Sequence, residues 1–171
     1  VMIIALNALL QKYGGPTEGD LLVAAATISQ SFMLVVTMPL GGITGGTGSI
    51  LGFNYGAGRP DRILQAQKFI LALSLIYTAL LCAAGQLLPA AFASIFTQDA
   101  QVLPLAVRAI RICTLAVVPL GLQYTIIDGF TGMGMMRYSL PLSFFRKLAY
   151  FLPMFILTAL FGGMAAFYAE T

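Results

Sequence analysis

The residue with the clearest capacity for chemistry is Asp128, a carboxylic acid inside the apolar run Tyr124-Thr125-Ile126-Ile127-Asp128-Gly129-Phe130. On insertion scales an acid at the centre of a bilayer costs about 2.5–3.5 kcal/mol, so an acid in a membrane segment is a functional candidate by default. Three kinds of chemistry suit a carboxylate so placed. It can hold Na⁺, it can take up a proton on one side and release it on the other, or it can attract an organic cation. Gln123 and Tyr124 lie five and four residues earlier, one helical turn back, where they can share its face. A structural role is also open. Arg137 follows nine residues later, about 13 Å along a helix, so Asp128 can instead form a lock with Arg137, Arg146 or Lys147. Met33, Met38, Met133, Met135 and Met136 are of a type that lines adaptable cavities and, more commonly, fills helix contacts.

Other chemistry is excluded by what is missing. There is no histidine among the 171 residues, which removes Ser-His-Asp and Cys-His catalysis and histidine metal sites; no metal site is expected. Cys82 and Cys113 stand in separate apolar runs and read as small buried side chains. A membrane enzyme needs a cluster of Asp, Glu, His or Cys at membrane depth, and one aspartate does not supply it.

The elements that must position Asp128 are membrane helices. The chain is 59% hydrophobic and 9% charged, against about 25% charged in a soluble domain, and its mean hydropathy is +0.92. Six acids and nine bases cannot cover a water-facing surface. The fold class is therefore all-α, a polytopic transmembrane helical bundle forming one domain. Approximate spans fall at 1–12, 21–55, 63–92, 102–134 and 138–162, with the start of a sixth after 164. The first is too short to cross ~30 Å by itself and reads as the tail of a longer span. The polar stretch 12–20, KYGGPTEGD, reads as a loop with Asp20 capping the next helix. A bend is expected near Gly85, Gln86 and Pro89, a loop at 97–101, a kink at Pro119 and a turn at 135–143. Arg108 and Arg111, three residues apart, share a face and snorkel to the interface. Ser29, Gln30 and Ser31 place polar groups in mid-membrane, where they suit bonds between helices.

The most unusual stretch is 38–62, MPLGGITGGTGSILGFNYGAGRPDR. In a soluble helix each of its glycines costs about 1 kcal/mol against alanine. In a membrane, small residues let helix backbones approach closely. Pro39, Gly41, Gly42, Gly45 and Gly46, with Pro119 and Gly121 later, are read as hinge or packing positions. The segment then runs out into a polar turn carrying Asn54, Gly56, Gly58 and Arg59, with Asn54 in a capping role. A phosphate-binding loop is a poor fit, because no GK[ST] follows and the preceding apolar run is too long for a strand. Met38-Pro39-Leu40-Gly41 is echoed by Val118-Pro119-Leu120-Gly121, and each is followed by glycines and a basic turn, suggesting two helices that run in the same direction. Arg59, Arg62, Lys68, Arg137, Arg146 and Lys147, six of the nine bases, then fall on one side, which the positive-inside rule makes cytoplasmic.

These motifs resemble a known family. The stretch 38–62 is similar to the helix-to-loop signature of multidrug and toxic compound extrusion (MATE) transporters, in which a proline-glycine helix ends in a sequence of the type G-x-N-x-G-A-G-R. The later stretch IIDGFTGMGMMRYSLPLSFFRKLAYFLP resembles the tenth and eleventh helices of that family, and the MepA-like bacterial branch is nearest. The resemblance covers essentially the whole chain. It implies the greater part of the C-terminal six-helix lobe, incomplete, of a twelve-helix transporter, starting within the seventh helix and stopping near the twelfth. It further implies a non-enzymatic antiporter in a bacterial inner (plasma) membrane that exports small organic cations against Na⁺ or H⁺. Its partners would be the bilayer and the N-terminal lobe of the same polypeptide, with no nucleic acid. No cofactor is implied beyond the transported ion. One branch uses acids in the seventh and tenth helices for the coupling cation. Residues 1–11 carry no acid, and that branch's tenth-helix aspartate aligns nearer Leu120 than Asp128. Within transport, the alternative is a lipid-linked precursor flippase of the same superfamily; outside it, a non-transporting structural subunit.

Overall fold

A computed structural model describes the backbone of residues 2–161 and the side chains of residue 11 and residues 19–149. Every regular element among them is a helix: α1 Met2–Gly46, α2 Gly48–Gly56, α3 Pro60–Leu87, α4 Pro89–Phe96, α5 Val102–Thr114, α6 Val117–Gly132 and α7 Met136–Phe161. Two helical stretches, Gly19–Gly56 and Pro60–Leu87, are long and apolar enough to cross a membrane, and a third is added if α5 and α6 form one broken span. The expected start of a further helix after 164 lies outside the described residues.

The helix breaks fall where the backbone chemistry demands them, with two departures from expectation. Residues 12–20, expected as a loop, continue α1 without interruption, and Asp20 lies exposed inside the helix instead of capping one. Gly14, Gly15 and Pro16 are breakers by about 1 and 3 kcal/mol respectively. The helical apolar runs on both sides carry the backbone through them, because propagating a helix costs less than starting a new one. The expected turn at 135–143 shrinks to three residues, since α7 begins at Met136. Pro141 falls early in α7, where it removes one helix bond without stopping the helix. Elsewhere the punctuation works as expected. The glycine run breaks at Thr47 between α1 and α2. Pro89 opens α4 from its first turn, a position that needs no N–H. Pro119 cannot donate to Leu115, four residues back, and the chain breaks there between α5 and α6.

The chain forms two compact units, and α1, α3 and α7 contribute to both. In the first unit, Leu22, Ala25, Ala26, Ser29 and Phe32 make a buried stripe on α1, and Val102, Ala106, Ala109, Ile110 and Cys113 make another on α5. Both have the i, i+3, i+4 spacing of a helix face. The Ser29 hydroxyl donates to the Cys113 sulfur across 3.3 Å. Phe32 meets Phe92 edge-on, with centroids 5.0 Å apart. Arg108 and Arg111 are exposed.

In the second unit, α2 and α6 cross backbone to backbone. A Cβ on Gly132 would stand 2.7 Å from the Gly48 Cα, and one on Gly52 would stand 2.6 Å from the Gly132 carbonyl oxygen. The Gly48-x-x-x-Gly52 spacing thus supplies a bare surface for Gly132, the small-residue logic of membrane helix packing. The α6 face that meets α3 is also stripped. Gly121 lies against Thr78, and Gly129 against Gln67.

We expect Gly132→Ala to destabilise the folded chain by about 1–3 kcal/mol, the range for forcing atoms into a filled contact. A Cβ at Gly45 meets nothing among the described residues, so Gly45→Ala should be neutral or stabilising by about 0.4–1 kcal/mol. Thermal unfolding of the full-length chain in detergent compares the two; equal effects would contradict the close crossing.

Candidate functional site

Asp128 is half-buried in the fourth turn of α6. Its partner among the described residues is the hydroxyl of Thr44, near the C-terminal end of α1. Thr44 is 1% exposed, so the contact is closed to bulk water on the threonine side. The same hydroxyl lies 3.0 Å from the Leu40 carbonyl oxygen, one turn earlier in α1. The pairing follows from the glycine crossing. Thr44 and Asp128 are 84 residues apart, and so are Gly48 and Gly132, where the backbones touch. A constant offset means that the two segments run parallel and in register, the direction expected from the Met38 and Val118 echo.

The bases named as structural partners for Asp128 are engaged otherwise or stand exposed. The Arg146 guanidinium lies 4.9 Å from the centre of the Tyr124 ring, a cation–π distance. Arg137 and Lys147 are exposed. The structure therefore takes Tyr124, expected to share the face of Asp128, into a contact with α7. Gln123 is half-buried on the same helix.

Pro39 has a defined consequence. It leaves the Val35 carbonyl, four residues back, without its helical donor. The Tyr77 hydroxyl of α3 donates to that oxygen across 2.8 Å. A similar repair follows the break before Pro119. Leu115 N–H turns to the Ile112 carbonyl, which strands the Arg111 carbonyl. Gln86 Nε2 of α3 donates to it across 2.8 Å, and the Thr114 hydroxyl donates to it as well, across 3.0 Å. In the second unit Gln67 Nε2 reaches the Thr125 carbonyl at 2.9 Å. Among the described residues, Gly41, Gly42, Gly45 and Gly46 have open space at their Cβ positions; the close packing lies at Gly48, Gly52, Gly121, Gly129 and Gly132.

The basic turns share one geometry. Gly58 has φ +64° and Gly134 has φ +72°. After α2, Arg59 N–H donates to Asn54 O and Gly58 N–H to Tyr55 O; after α6, Met135 N–H donates to Phe130 O and Gly134 N–H to Thr131 O. Both are Schellman ends, which glycine fills because its φ is positive. Asn54 takes part through its carbonyl, while its side-chain amide donates back to Ile50 O at 2.8 Å.

Sequence reasoning singled out Asp128 but missed Thr44, Gln67, Tyr77 and Gln86. Tyr77, Gln86 and Gln67 carried a signal of a kind, as hydrogen-bonding side chains in an apolar helix opposite proline-interrupted ones. Thr44 carried none beyond its place five residues after Pro39, because its role depends on a helix 84 residues away. The paired G-x-G ends, Gly56-Ala57-Gly58 and Gly132-Met133-Gly134, were legible as glycines but not read as matching caps.

The family model described as MatE matches residues 2–156. No curated protein and no solved structure matches the chain.

We expect Tyr77→Phe to cost about 1–3 kcal/mol of stability in detergent or lipid, the penalty of a backbone carbonyl on the apolar helix surface left without a donor. In a Pro39→Ala background the residue-39 N–H becomes available to Val35 O, and the cost should fall to a few tenths of a kcal/mol, as for a residue whose partner is otherwise supplied. Denaturant titration of the four variants in detergent reads the coupling; simple additivity would separate Tyr77 from Pro39.

Proposed function

The chain belongs to the MatE family, and we propose that it forms the C-terminal six-helix lobe of a secondary active antiporter of the MepA-like branch. The coarse assignment, a multi-pass membrane protein of a transporter superfamily, follows from the family match and the apolar helices. The finer reading is that the transporter exports small organic cations across a bacterial inner membrane, driven by inward Na⁺ or H⁺. The lobe rocks against an N-terminal lobe of the same polypeptide, with its proline- and glycine-broken helices at the cavity or hinge. The side carrying Arg59, Arg62, Lys68, Arg137, Arg146 and Lys147 faces the cytoplasm.

The observation that carries this reading is the partner of Asp128. An acid in a membrane helix held by a base is a lock. This one is held by a threonine hydroxyl, while Arg146 is turned to Tyr124. A hydroxyl leaves the carboxylate its charge to offer to a proton, a sodium ion or an organic cation. Tyr124 and Gln123, on the same helix, stand as substrate-side candidates.

The test is uptake of a fluorescent organic cation into proteoliposomes holding the full-length polypeptide, with both lobes, under imposed H⁺ and Na⁺ gradients, with Asp128→Asn alongside. We expect gradient-driven uptake in the wild type and a loss of at least about tenfold in the variant, corresponding to ~1.4 kcal/mol of lost interaction. Full uptake in the variant would move the coupling site to the other lobe. No uptake of any cation under either gradient would favour the lipid-precursor flippase, or a subunit that does not transport.

A further inference from the structure

We infer that Thr44 is a positioning residue for Asp128 and that its hydroxyl turns between two acceptors as Asp128 gains and loses a proton. The inference rests on the reading of Asp128 as the coupling acid and deepens it, because it names the proton as the ion this pair is built to handle.

The argument is a count of hydrogens. Thr44 Oγ1 lies within hydrogen-bond distance of Asp128 Oδ2 and 3.0 Å from the Leu40 carbonyl oxygen. A hydroxyl has one proton to donate and two lone pairs with which to accept. It cannot donate to both oxygens at once. With Asp128 ionised, Thr44 donates to the carboxylate in a charge-assisted bond. With Asp128 neutral, the incoming proton sits on Oδ2, the Oδ2–H donates to Thr44 Oγ1, and the Thr44 O–H turns to Leu40 O. No bond within Thr44 breaks, and the only proton exchanged is the one that Asp128 takes from water and later returns to it. Each state has every donor used. Burial of Thr44 to 1% exposure keeps water from substituting for either acceptor, so the hydroxyl's direction is set by Asp128 alone.

The charged surroundings leave this pair to itself. From residue 21 onward α1 carries no charged side chain, and neither does α2. On α3, Asp61, Arg62 and Lys68 are exposed near its start. On α7, Arg137 is exposed, and Arg146 lies over Tyr124, the one titratable neighbour on the Asp128 helix. The hydroxyl is also well placed to act. The Leu40 carbonyl follows Pro39 directly, in the turn whose broken bond Tyr77 repairs, and Thr44 stands three residues before the break at Thr47. Protonation of an acid on α6 is thus reported to the end of α1 where its hydrogen bonding is already interrupted.

The experiment is proton-exchange difference infrared spectroscopy of the full-length polypeptide, with both lobes, in lipid, with Asp128→Asn, Thr44→Val and Thr44→Ser, beside proton-driven uptake of the same fluorescent cation. The wild type should show a carboxylic acid C=O band that Asp128→Asn removes. Thr44→Val, which keeps the shape and removes the hydroxyl, should shift that band to higher frequency and lower uptake about tenfold, the scale of one lost bond to a charged group. Thr44→Ser should restore both. If Thr44→Val does not fold, Thr44→Ala against Thr44→Ser isolates the same hydroxyl. No band lost in Asp128→Asn overturns the coupling role of Asp128. A band that Asp128→Asn removes but Thr44→Val leaves in place overturns the inference for Thr44 alone. Equal damage from Ser and Val reduces Thr44 to a packing residue.

Discussion

In a bilayer core no water is available to a backbone N–H or C=O, and each unsatisfied group costs several kcal/mol. That constraint explains the placement of Tyr77 and Gln86 on α3. The helices are interrupted by prolines and glycines, and two of the freed carbonyls are met by side chains of α3, one of them with help from Thr114 of α5. Tyr77 serves Val35 O beside Pro39, and Gln86 serves Arg111 O before the α5–α6 break. Gln67 adds a bond to Thr125 O. Polar residues in an apolar helix are costly, and these are retained because leaving a carbonyl open costs more. They bond to backbone rather than to one another, so they hold interrupted helices in place without forming a polar core.

The second constraint is distance. Parallel segments can share a short side-chain bond such as Thr44 to Asp128 only if their backbones come close, and Gly48, Gly52 and Gly132 remove the atoms that would prevent it. Even a Cβ at Gly52 or Gly132 would meet the facing backbone at 2.6–2.7 Å, so a larger side chain there would force the helices apart. The glycines at the crossing and the polar pair four residues before it are therefore one device, repeated at a fixed offset along both segments.

Much of this was legible in the sequence, and the boundary between what was and what was not is physical. The all-α class followed from charge content, because too few charged residues exist to face water. Breaks at Pro89 and before Pro119 were legible because proline lacks an N–H whatever surrounds it. The loop expected at 12–20 was not a loop, because Gly14, Gly15 and Pro16 are local preferences that a long helix on both sides overrides. The turn after α6 was read too long because Gly134 completes the reversal by itself through its positive φ. At the site, Asp128 was conspicuous by type alone. Thr44 was not, since threonine in a membrane helix normally bonds its own preceding turn, as Thr125 does with Gly121 O. Only the long-range register distinguishes the two.

That register also bears on the proposed role of Asp128. A guanidinium partner stabilises one protonation state of a carboxylate and opposes the other, so an ion pair resists titration and holds helices together. A hydroxyl is donor and acceptor at once. It serves the charged acid by donating and the neutral acid by accepting, and in the second case it turns its own O–H to the Leu40 carbonyl without losing the proton. The partner found on Asp128 is of the second kind, which suits the proposed coupling role because it serves both protonation states. Arg146, one of the bases weighed as its partner, lies over the Tyr124 ring instead.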